Sequence, residues 1–160
     1  MIKRTLVLLK PDCVQRSFSG EIITRFEKAG LKIVGMKMVW VDKDFAKKHY
    51  EEHVDKPFYP GLEDVITGGP VIALALEGVE VISTVRKMVG ATEPKSAAPG
   101  TIRGDYAHVS YGYADDKQIG IKNIIHASAD DKDAQKELEL WFSDEETHTY
   151  RTVHDTHLYE

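Results

Sequence analysis

His126 and Glu137 are the pair whose residue types and spacing could do chemistry in this chain. The β-branched residues 124–125, directly before the histidine, are typical of the end of a buried strand. Ser128, followed by acidic residues at 130–131, predicts the cap and first turn of a helix. The histidine is therefore expected where a strand passes into a helix.

The helix that follows should carry Glu137 on its core-facing side. Apolar residues recur at helical spacing at Ala134, Leu138 and Trp141, and Glu137 falls on the same stripe. A buried carboxylate needs a partner, because burying it unpaired is costly. His126 is the nearest candidate, so the sequence predicts a contact between the two side chains.

A carboxylate bonded to one imidazole nitrogen leaves the other nitrogen with a free lone pair at neutral pH. Such a nitrogen serves as a nucleophile or a base. The spacing by itself also fits two simpler interpretations: a core histidine satisfied by a glutamate, or a histidine and a glutamate that never meet.

Composition limits the class of protein. The 160 residues, 42% of them hydrophobic, suit one globular domain, and the apolar runs are too short to span a membrane. Cys13 is the only cysteine and the N-terminus does not resemble a signal peptide, so a reducing, cytoplasmic setting is expected. The net charge of −5 offers no general attraction for nucleic acid or anionic lipid.

The pattern of apolar residues predicts three strands and three helices before the His126 junction. The strands are expected at 5–9, 31–41 and 70–76, with Val34, Met36, Met38 and Trp40 on one face of the second. The helices are expected from Ser19 to Gly30, over 44–53 and over 77–89. Residues 90–122 show no helical period, and a connection this long is usually functional or part of an assembly.

Three cations and a hydroxyl are candidates for binding phosphate. Lys10 ends the first strand, Arg86 shares a helical stripe with apolar residues, Arg103 lies between glycines, and Thr92 follows the 77–89 helix. An ordinary solvated lysine and an arginine whose head reaches solvent remain alternatives for the first two. No P-loop, dinucleotide-binding glycine motif or paired-cysteine motif is present, so a phosphate site here would use side chains.

Aromatic residues and histidines near the middle of the chain are less specific. Phe58, between two prolines, could stack on a planar ligand or pack on the core. His49 and His53 have the spacing of a metal pair but lack the glutamate of a zinc hydrolase helix. Two exposed surface histidines are the expected outcome.

Together these motifs resemble the nucleoside diphosphate kinases almost from end to end. The matching segments are Lys10-Pro11-Asp12, Val14-Gln15-Arg16, His49-Tyr50, Pro57 to Leu62, Pro99 to Asp105, Asn123 to His126, Leu140-Trp141-Phe142 and Tyr159-Glu160. The resemblance implies a kinase that moves the γ-phosphate of a nucleoside triphosphate, mainly ATP, to nucleoside diphosphates by a ping-pong mechanism. Stacking on the base implies that purines and pyrimidines, with ribose or deoxyribose, are all accepted.

The resemblance also assigns roles. His126 would become the phosphohistidine, Glu137 would hold its other nitrogen, Ser128 would support Glu137, and Tyr50 would border the transferred phosphate. The residues implied to bind substrate are Lys10, Phe58, Leu62, Arg86, Thr92, Arg103 and Asn123. Magnesium is expected on the nucleotide phosphates, with no side chain as a metal ligand.

The implied fold is α+β: a ferredoxin-like, four-stranded antiparallel sheet with helices on one face, a long loop and a C-terminal extension. Residues 1–160 would form a single domain that assembles as a homo-oligomer, a hexamer or less often a tetramer. Neither a membrane nor a specific nucleic acid is an expected partner.

Two features depart from the family pattern. Ala127 replaces the glycine that usually follows the histidine, and its methyl group could restrict the backbone there. Residues at about 108–121 form an insertion, expected as an exposed excursion or hairpin that affects assembly more than chemistry.

Two other classes of function stay open. A catalytically silent relative would bind nucleotide without modifying His126. A metal-dependent hydrolase built on His49, His53 and the C-terminal histidines would contain zinc.

Overall fold

The computed structural model describes residues 1–160. The four strands are β1 (Ile2–Leu9), β2 (Lys32–Val39), β3 (Val71–Val79) and β4 (Ile125–Ala127). The eight α-helices are α1 (Pro11–Gln15), α2 (Ser19–Lys28), α3 (Lys43–His49), α4 (Tyr59–Thr67), α5 (Val81–Val89), α6 (Ile102–Tyr106), α7 (Tyr111–Lys117) and α8 (Asp131–Trp141). Short 3-10 turns cover Glu51–His53, Pro94–Ser96 and Asp144–Glu146, and a π turn covers Asp155–Tyr159. No helix has the length and apolar character needed to cross a bilayer.

The strands form one sheet in the order β2-β3-β1-β4, with every neighbouring pair antiparallel. This order confirms the ferredoxin-like topology. Helices cover both faces of the sheet rather than the one face expected. Alternate residues of β1 explain this: Val7 and Leu9 pack with α2 and α5, whereas Leu6 and Leu8 pack with α3, α4 and α8.

The alternation in β4 fixes the direction of His126. Ile125 and Ala127 belong to the core under α2 and α5. His126 lies opposite Leu8 in the register of β1 and β4, so its side chain faces the layer that contains α3 and α8. The short strand β4 therefore presents one histidine to the helices that carry its neighbours.

The second strand differs from its predicted pattern. Val34 is buried as expected, but Met36, Met38 and Trp40 are 59%, 58% and 70% exposed. A β-bulge between Ile33 and Gly35 changes the face that later residues present. The edge strand β2 therefore leaves an apolar stripe open to solvent.

Several predicted boundaries were wrong. Ser19 is the first residue of α2 and makes no capping bond, and α8 is capped by Asp130, which accepts from the Asp133 N–H. β3 continues to Val79, so only the part of 77–89 after Glu80 is helical. The caps and ends of these elements were therefore predicted near the right places, but not at the right residues.

Candidate active site

A cavity of about 990 Å³ opens where the ends of β1 and β4 meet α3, α4, α7 and α8. All the predicted site residues except Ser128 line it: Lys10, Tyr50, Phe58, Leu62, Arg86, Thr92, Arg103, Asn123, His126 and Glu137. Ser128 lies behind the wall and is fully buried. Residues spread over more than 120 positions of the sequence thus share one cavity.

The predicted contact between His126 and Glu137 is present. The His126 Nε2 atom lies 2.8 Å from Glu137 Oε1, and the Ser128 hydroxyl donates to Glu137 Oε2 at 2.6 Å. Burial by itself raises the pKa of Glu137, but the hydrogen bond and charge of His126, with the Ser128 bond, leave that pKa below its usual value. Glu137 is therefore a carboxylate that accepts from His126 Nε2–H, and the lone pair lies on Nδ1.

Ser128 was predicted from the sequence as a helix cap, which was wrong. Its side chain instead connects Glu137 to β1, because the Leu6 N–H donates to Ser128 Oγ at 3.3 Å. Glu137 is thus fixed from both ends, by the histidine and by a hydroxyl tied to the sheet. This arrangement limits the rotation of both the carboxylate and the imidazole.

His49 is not the exposed histidine that was expected. Its ring centroid lies 4.7 Å from that of His126, with an interplanar angle of 83°. The Trp141 Nε1–H donates to His49 Nδ1 at 3.2 Å. Burial, with the nearby charge of His126, lowers the pKa of His49 to about 3. The ring is therefore neutral and carries its proton on Nε2.

This tautomer argues against the metal-hydrolase alternative. His49, His126 and Glu137 place potential ligand atoms within 4.8 Å of one another. His49 Nδ1 is engaged by Trp141, however, and a protonated Nε2 has no lone pair for a metal. His53 packs beside Phe58, with ring centroids 5.5 Å apart, instead of joining His49.

Lys10 is held in a chain of hydrogen bonds at the end of β1. Its Nζ donates to Asn123 Oδ1 at 2.7 Å, and the Asn123 amide donates to the Thr92 carbonyl at 2.9 Å. The residue is only 4% exposed. Burial lowers the pKa of Lys10 to about 8, with Asp12 opposing and Arg103 reinforcing the shift.

The two arginines differ in how free they are. Arg103 is buried and donates to three backbone carbonyls, those of Gly90, Asn123 and Ile125. Burial, followed by the charge of Arg86, lowers the pKa of Arg103 to about 10. Arg86 is exposed at the end of α5 and forms no ion pair in the chain. Its head is available to an anion, whereas Arg103 also holds the backbone.

Tyr50, Phe58 and Leu62 complete the lining of the cavity. Tyr50 ends α3, its ring centroid lies 4.6 Å from that of His49, and burial raises the pKa of its hydroxyl. Phe58, just before α4, is 53% exposed. Leu62 is partly buried against the core beneath it. The phenyl face of Phe58 is therefore available to a planar ligand.

The segment expected as an exposed excursion or hairpin is largely exposed, but it forms a helix and not a hairpin. Ser110 caps α7 by accepting from the Tyr113 N–H, and Ala114 is buried. Tyr111, Ile119 and Gly120 line the cavity. Gly112 lowers the helix propensity of this segment, so the helix was not predicted. Ser110, a favourable N-cap residue, was the sequence signal that could have indicated it.

Two glycines fix the position of the α7 segment. A methyl group added at Gly120 would lie 2.1 Å from the Gly61 carbonyl oxygen, so the two backbones touch. Gly61 belongs to α4, beside Phe58. The 108–121 segment is therefore a wall of the cavity as well as an excursion from the sheet.

Comparisons with known proteins agree with this geometry. The family model described as "Nucleoside diphosphate kinase" matches residues 3–147. The chain is 54% identical over 149 residues to a nucleoside diphosphate kinase of Pyrococcus furiosus, covering 93% of this chain and 88% of that one. It is 45% identical over 159 residues to one of Archaeoglobus fulgidus, covering 99% of each.

Solved structures give the same result. A nucleoside-diphosphate kinase from Borrelia burgdorferi, with bound vanadate and ADP as a transition state mimic, superposes with a TM-score of 0.93 at 44% identity, covering 97% of this chain and 95% of that one. A halophilic nucleoside diphosphate kinase from Halobacterium salinarum, in complex with CDP, superposes with a TM-score of 0.89 at 42% identity over the full length of both.

Proposed function

The chain belongs to the nucleoside diphosphate kinase family and acts as a phosphotransferase of that kind, and we propose that His126 is the residue that carries the phosphoryl group. The observation that supports this most directly is the 2.8 Å contact between His126 Nε2 and Glu137. It leaves the Nδ1 lone pair as the nucleophile in the cavity. Broad acceptance of nucleotides follows if the enzyme recognises phosphates and a ring face.

The reaction takes two steps. In the first, His126 Nδ1 attacks the γ-phosphorus of a nucleoside triphosphate such as ATP, a P–N bond forms, and the P–O bond to the β-phosphate breaks. In the second, a terminal oxygen of a different nucleoside diphosphate attacks the same phosphorus and the P–N bond breaks. Glu137 stabilises the positive charge that develops on the imidazole and Ser128 holds Glu137 in place.

Cations stabilise the charge of the transferred group. Lys10, Arg86 and Arg103 converge on the cavity, and phosphoryl transfer depends mainly on positioning and on such electrostatic stabilisation. Thr92 and Tyr50 border the same end, and Asn123, bonded to Lys10, is placed to reach the sugar. Arg103 contributes with the N–H groups that the backbone carbonyls leave free.

Enzymes of this family require a divalent cation, and we propose that here it is Mg²⁺ bound to the nucleotide phosphates. The donor set fits this mode, because His49, His126 and Glu137 are committed to hydrogen bonds, and Lys10, Arg86 and Arg103 line the same cavity to receive the phosphates. Magnesium keeps several waters and binds through phosphate oxygens with few or no protein ligands. When bound, it neutralises phosphate charge and helps to align the leaving group.

The other end of the cavity suits a base held by stacking. Phe58 offers an exposed ring with Leu62 beside it, and stacking reads a π face that all bases share. Purines and pyrimidines should therefore be accepted with similar efficiency, with ribose and deoxyribose both tolerated.

Three further properties are proposals. We propose that residues 1–160 form one domain in which 108–121 is an insertion. The exposed apolar stripe formed by Met36 and Met38 of β2 and by Trp40 just after it supports a homo-oligomer, and the resemblance to the family favours a hexamer over a tetramer. The single cysteine, Cys13, is a buried free thiol, which suits a reducing cytoplasm. A light-scattering mass tests the subunit number.

A half-reaction tests the function. The protein is mixed with magnesium and γ-labelled ATP in the absence of acceptor, then isolated. We expect acid-labile, base-stable label that added GDP removes as GTP. His126→Ala should abolish the label, whereas His108→Ala, which removes an exposed histidine outside the cavity, should retain it. Protein that binds nucleotide but takes up no label would instead identify a silent relative.

A further inference from the structure

The backbone just before the nucleophile has an unusual conformation. Ile124 has a φ of 62°, in the left-handed region, although it is β-branched and fully buried. Such a conformation is a genuine outlier for a β-branched residue. The Ile125 N–H donates to the Asn123 carbonyl at 2.8 Å, which closes a γ-turn. A γ-turn whose central residue has a positive φ is the rare and strained form. Its central residue, Ile124, lies two positions before His126.

Both polar backbone groups of Ile124 are held by hydrogen bonds. Asp12 Oδ2 accepts from the Ile124 N–H at 2.9 Å, and the Lys10 N–H donates to the Ile124 carbonyl at 2.9 Å. Arg103 donates to the carbonyls on either side, those of Asn123 at 3.2 Å and Ile125 at 2.6 Å. Strained residues persist only where their surroundings fix them, and they concentrate at functional sites.

The Asp12 side chain accepts the hydrogen bond from the Ile124 N–H, yet Asp12 does not line the cavity. Asp12 is the second residue of α1, the short helix that begins at Pro11 just after β1. A residue that contacts the turn but does not line the cavity can act on the reaction through the position of His126.

We propose that Asp12 is a positioning residue, which holds Ile124 in its left-handed conformation so that β4 delivers His126 Nδ1 to the γ-phosphate. The inference rests on the proposed function of His126. Because β4 is only three residues long, a relaxed turn at Ile124 shifts the imidazole directly. A displacement of about 1 Å at a reacting group reduces a rate by about 100-fold.

Asp12 has a second property that the test must separate from the first. Its other oxygen, Oδ1, is buried without a hydrogen-bond partner, and its charge acts on Lys10 and Arg103. Removal of the carboxylate therefore changes both an acceptor and a negative charge. Two conservative variants distinguish these effects, since Asp12→Asn keeps an acceptor without the charge, and Asp12→Glu keeps the charge but displaces the acceptor by one methylene.

The experiment measures two quantities in the full-length enzyme: the single-turnover rate constant for labelling His126 with γ-labelled ATP and magnesium, and the Kd for ADP. We expect Asp12→Ala to slow labelling about 100-fold, with the Kd for ADP within about threefold of the parent value because the residue does not touch the nucleotide. Asp12→Asn should restore most of the rate and Asp12→Glu should not. Asp64→Ala, which removes an exposed carboxylate of α4 outside the cavity, is the matched control.

The order of the two conservative variants decides the inference. Labelling that is faster in Asp12→Glu than in Asp12→Asn overturns it in favour of a charge effect, and parental rates in Asp12→Ala overturn it outright. If Asp12→Ala does not fold, as judged by its thermal melting curve, the order of the other two variants still decides. A parent chain that takes up no label would instead contradict the proposed function and leave every variant unlabelled.

Discussion

The two ends of the cavity are built in different ways: the end around His126 and Lys10, where we propose that the phosphates bind (the phosphate end), and the end around Phe58, where we propose that the base stacks (the base end). At the phosphate end, Lys10, Asn123 and Glu137 are largely buried. Lys10 donates a hydrogen bond to Asn123, and Glu137 accepts one from Ser128. At the base end, Phe58 and Ile119 are about half exposed and no hydrogen bond fixes their side chains. One end is rigid and polar, and the other is open and apolar.

The difference reflects what each end must recognise. Transfer of a phosphoryl group requires the nucleophile and the cations to lie within a fraction of an ångström of their working positions. A stacking surface needs only a ring face, and it tolerates bases of different size. Substitutions that disturb the position or charge of His126 should therefore change rate constants, whereas those at the base end should change nucleotide affinity.

Among substitutions that retain the nucleophile, the largest effect is expected for Glu137→Gln. The variant keeps the size of the side chain but removes the charge that orients His126 and stabilises its positive form, so the labelling rate should fall about 100- to 1000-fold. The Kd for ADP should stay near the parent value. Rapid-quench labelling and equilibrium binding check the two parts, and a parental labelling rate would contradict the role given to Glu137.

Phe58→Ala tests the base end. Loss of the stacking surface should raise KM about tenfold for ADP, GDP, CDP and UDP alike, with kcat changed little. Phe58→Tyr, which keeps the ring, is the matched control and should behave like the parent. Loss of one nucleotide far beyond the others would show that base edges, rather than the ring face, are being read.

The pH dependence of binding tests Lys10. Its pKa is lowered to about 8 by burial, so the ammonium that attracts phosphate is present below that pH and is lost as pH rises through it. Because bound phosphate favours the charged form, the Kd for magnesium-ADP, which has no phosphoryl group to transfer to His126, should rise several-fold between pH 7.5 and pH 9.5, about one and a half units above that pKa. Titration calorimetry in Lys10→Gln should give weaker binding without this rise; the same rise in the variant would assign it to another group.

The smallest effect is expected for Ala127→Gly. Ala127 is not among the residues with positive φ and lies in β4 opposite Val7, so its methyl group imposes no restriction on the backbone. Glycine in a strand lowers the free energy of unfolding by about 0.5–1 kcal/mol. Thermal or chemical denaturation should show this small loss, with kcat unchanged. A marked change in kcat would mean that the alanine does influence the nucleophile.

Local patterns predicted the centre of the site well. The strand end at His126 and the helical stripe that carries Glu137 lie within one stretch of chain, and periodicity placed Glu137 on the core-facing side of its helix, where it meets His126. Lys10 was placed correctly at the end of the first strand. The assignment of these residues to nucleotide binding came from the resemblance to a family, because periodicity gives position and not ligand.

Other features required contacts between distant segments. His49 was misread as a surface residue because nothing near it in sequence shows that Trp141 donates to its ring. The helix within 108–121 and its place in the cavity wall were not predicted, because they depend on a serine cap and on the contact between Gly61 and Gly120. The role of Arg103 in holding the backbone was likewise invisible.

The sequence by itself determined which faces of the helices and strands are apolar, and where His126 and Glu137 lie on them, because both depend on the regular spacing of side chains along one element. Only the tertiary structure decided the conformation of Ile124, which a β-branched residue does not adopt by its own preference. It is set by Asp12 and by the Lys10 N–H, more than 110 positions away in the chain, which reach the turn because β1 pairs with β4.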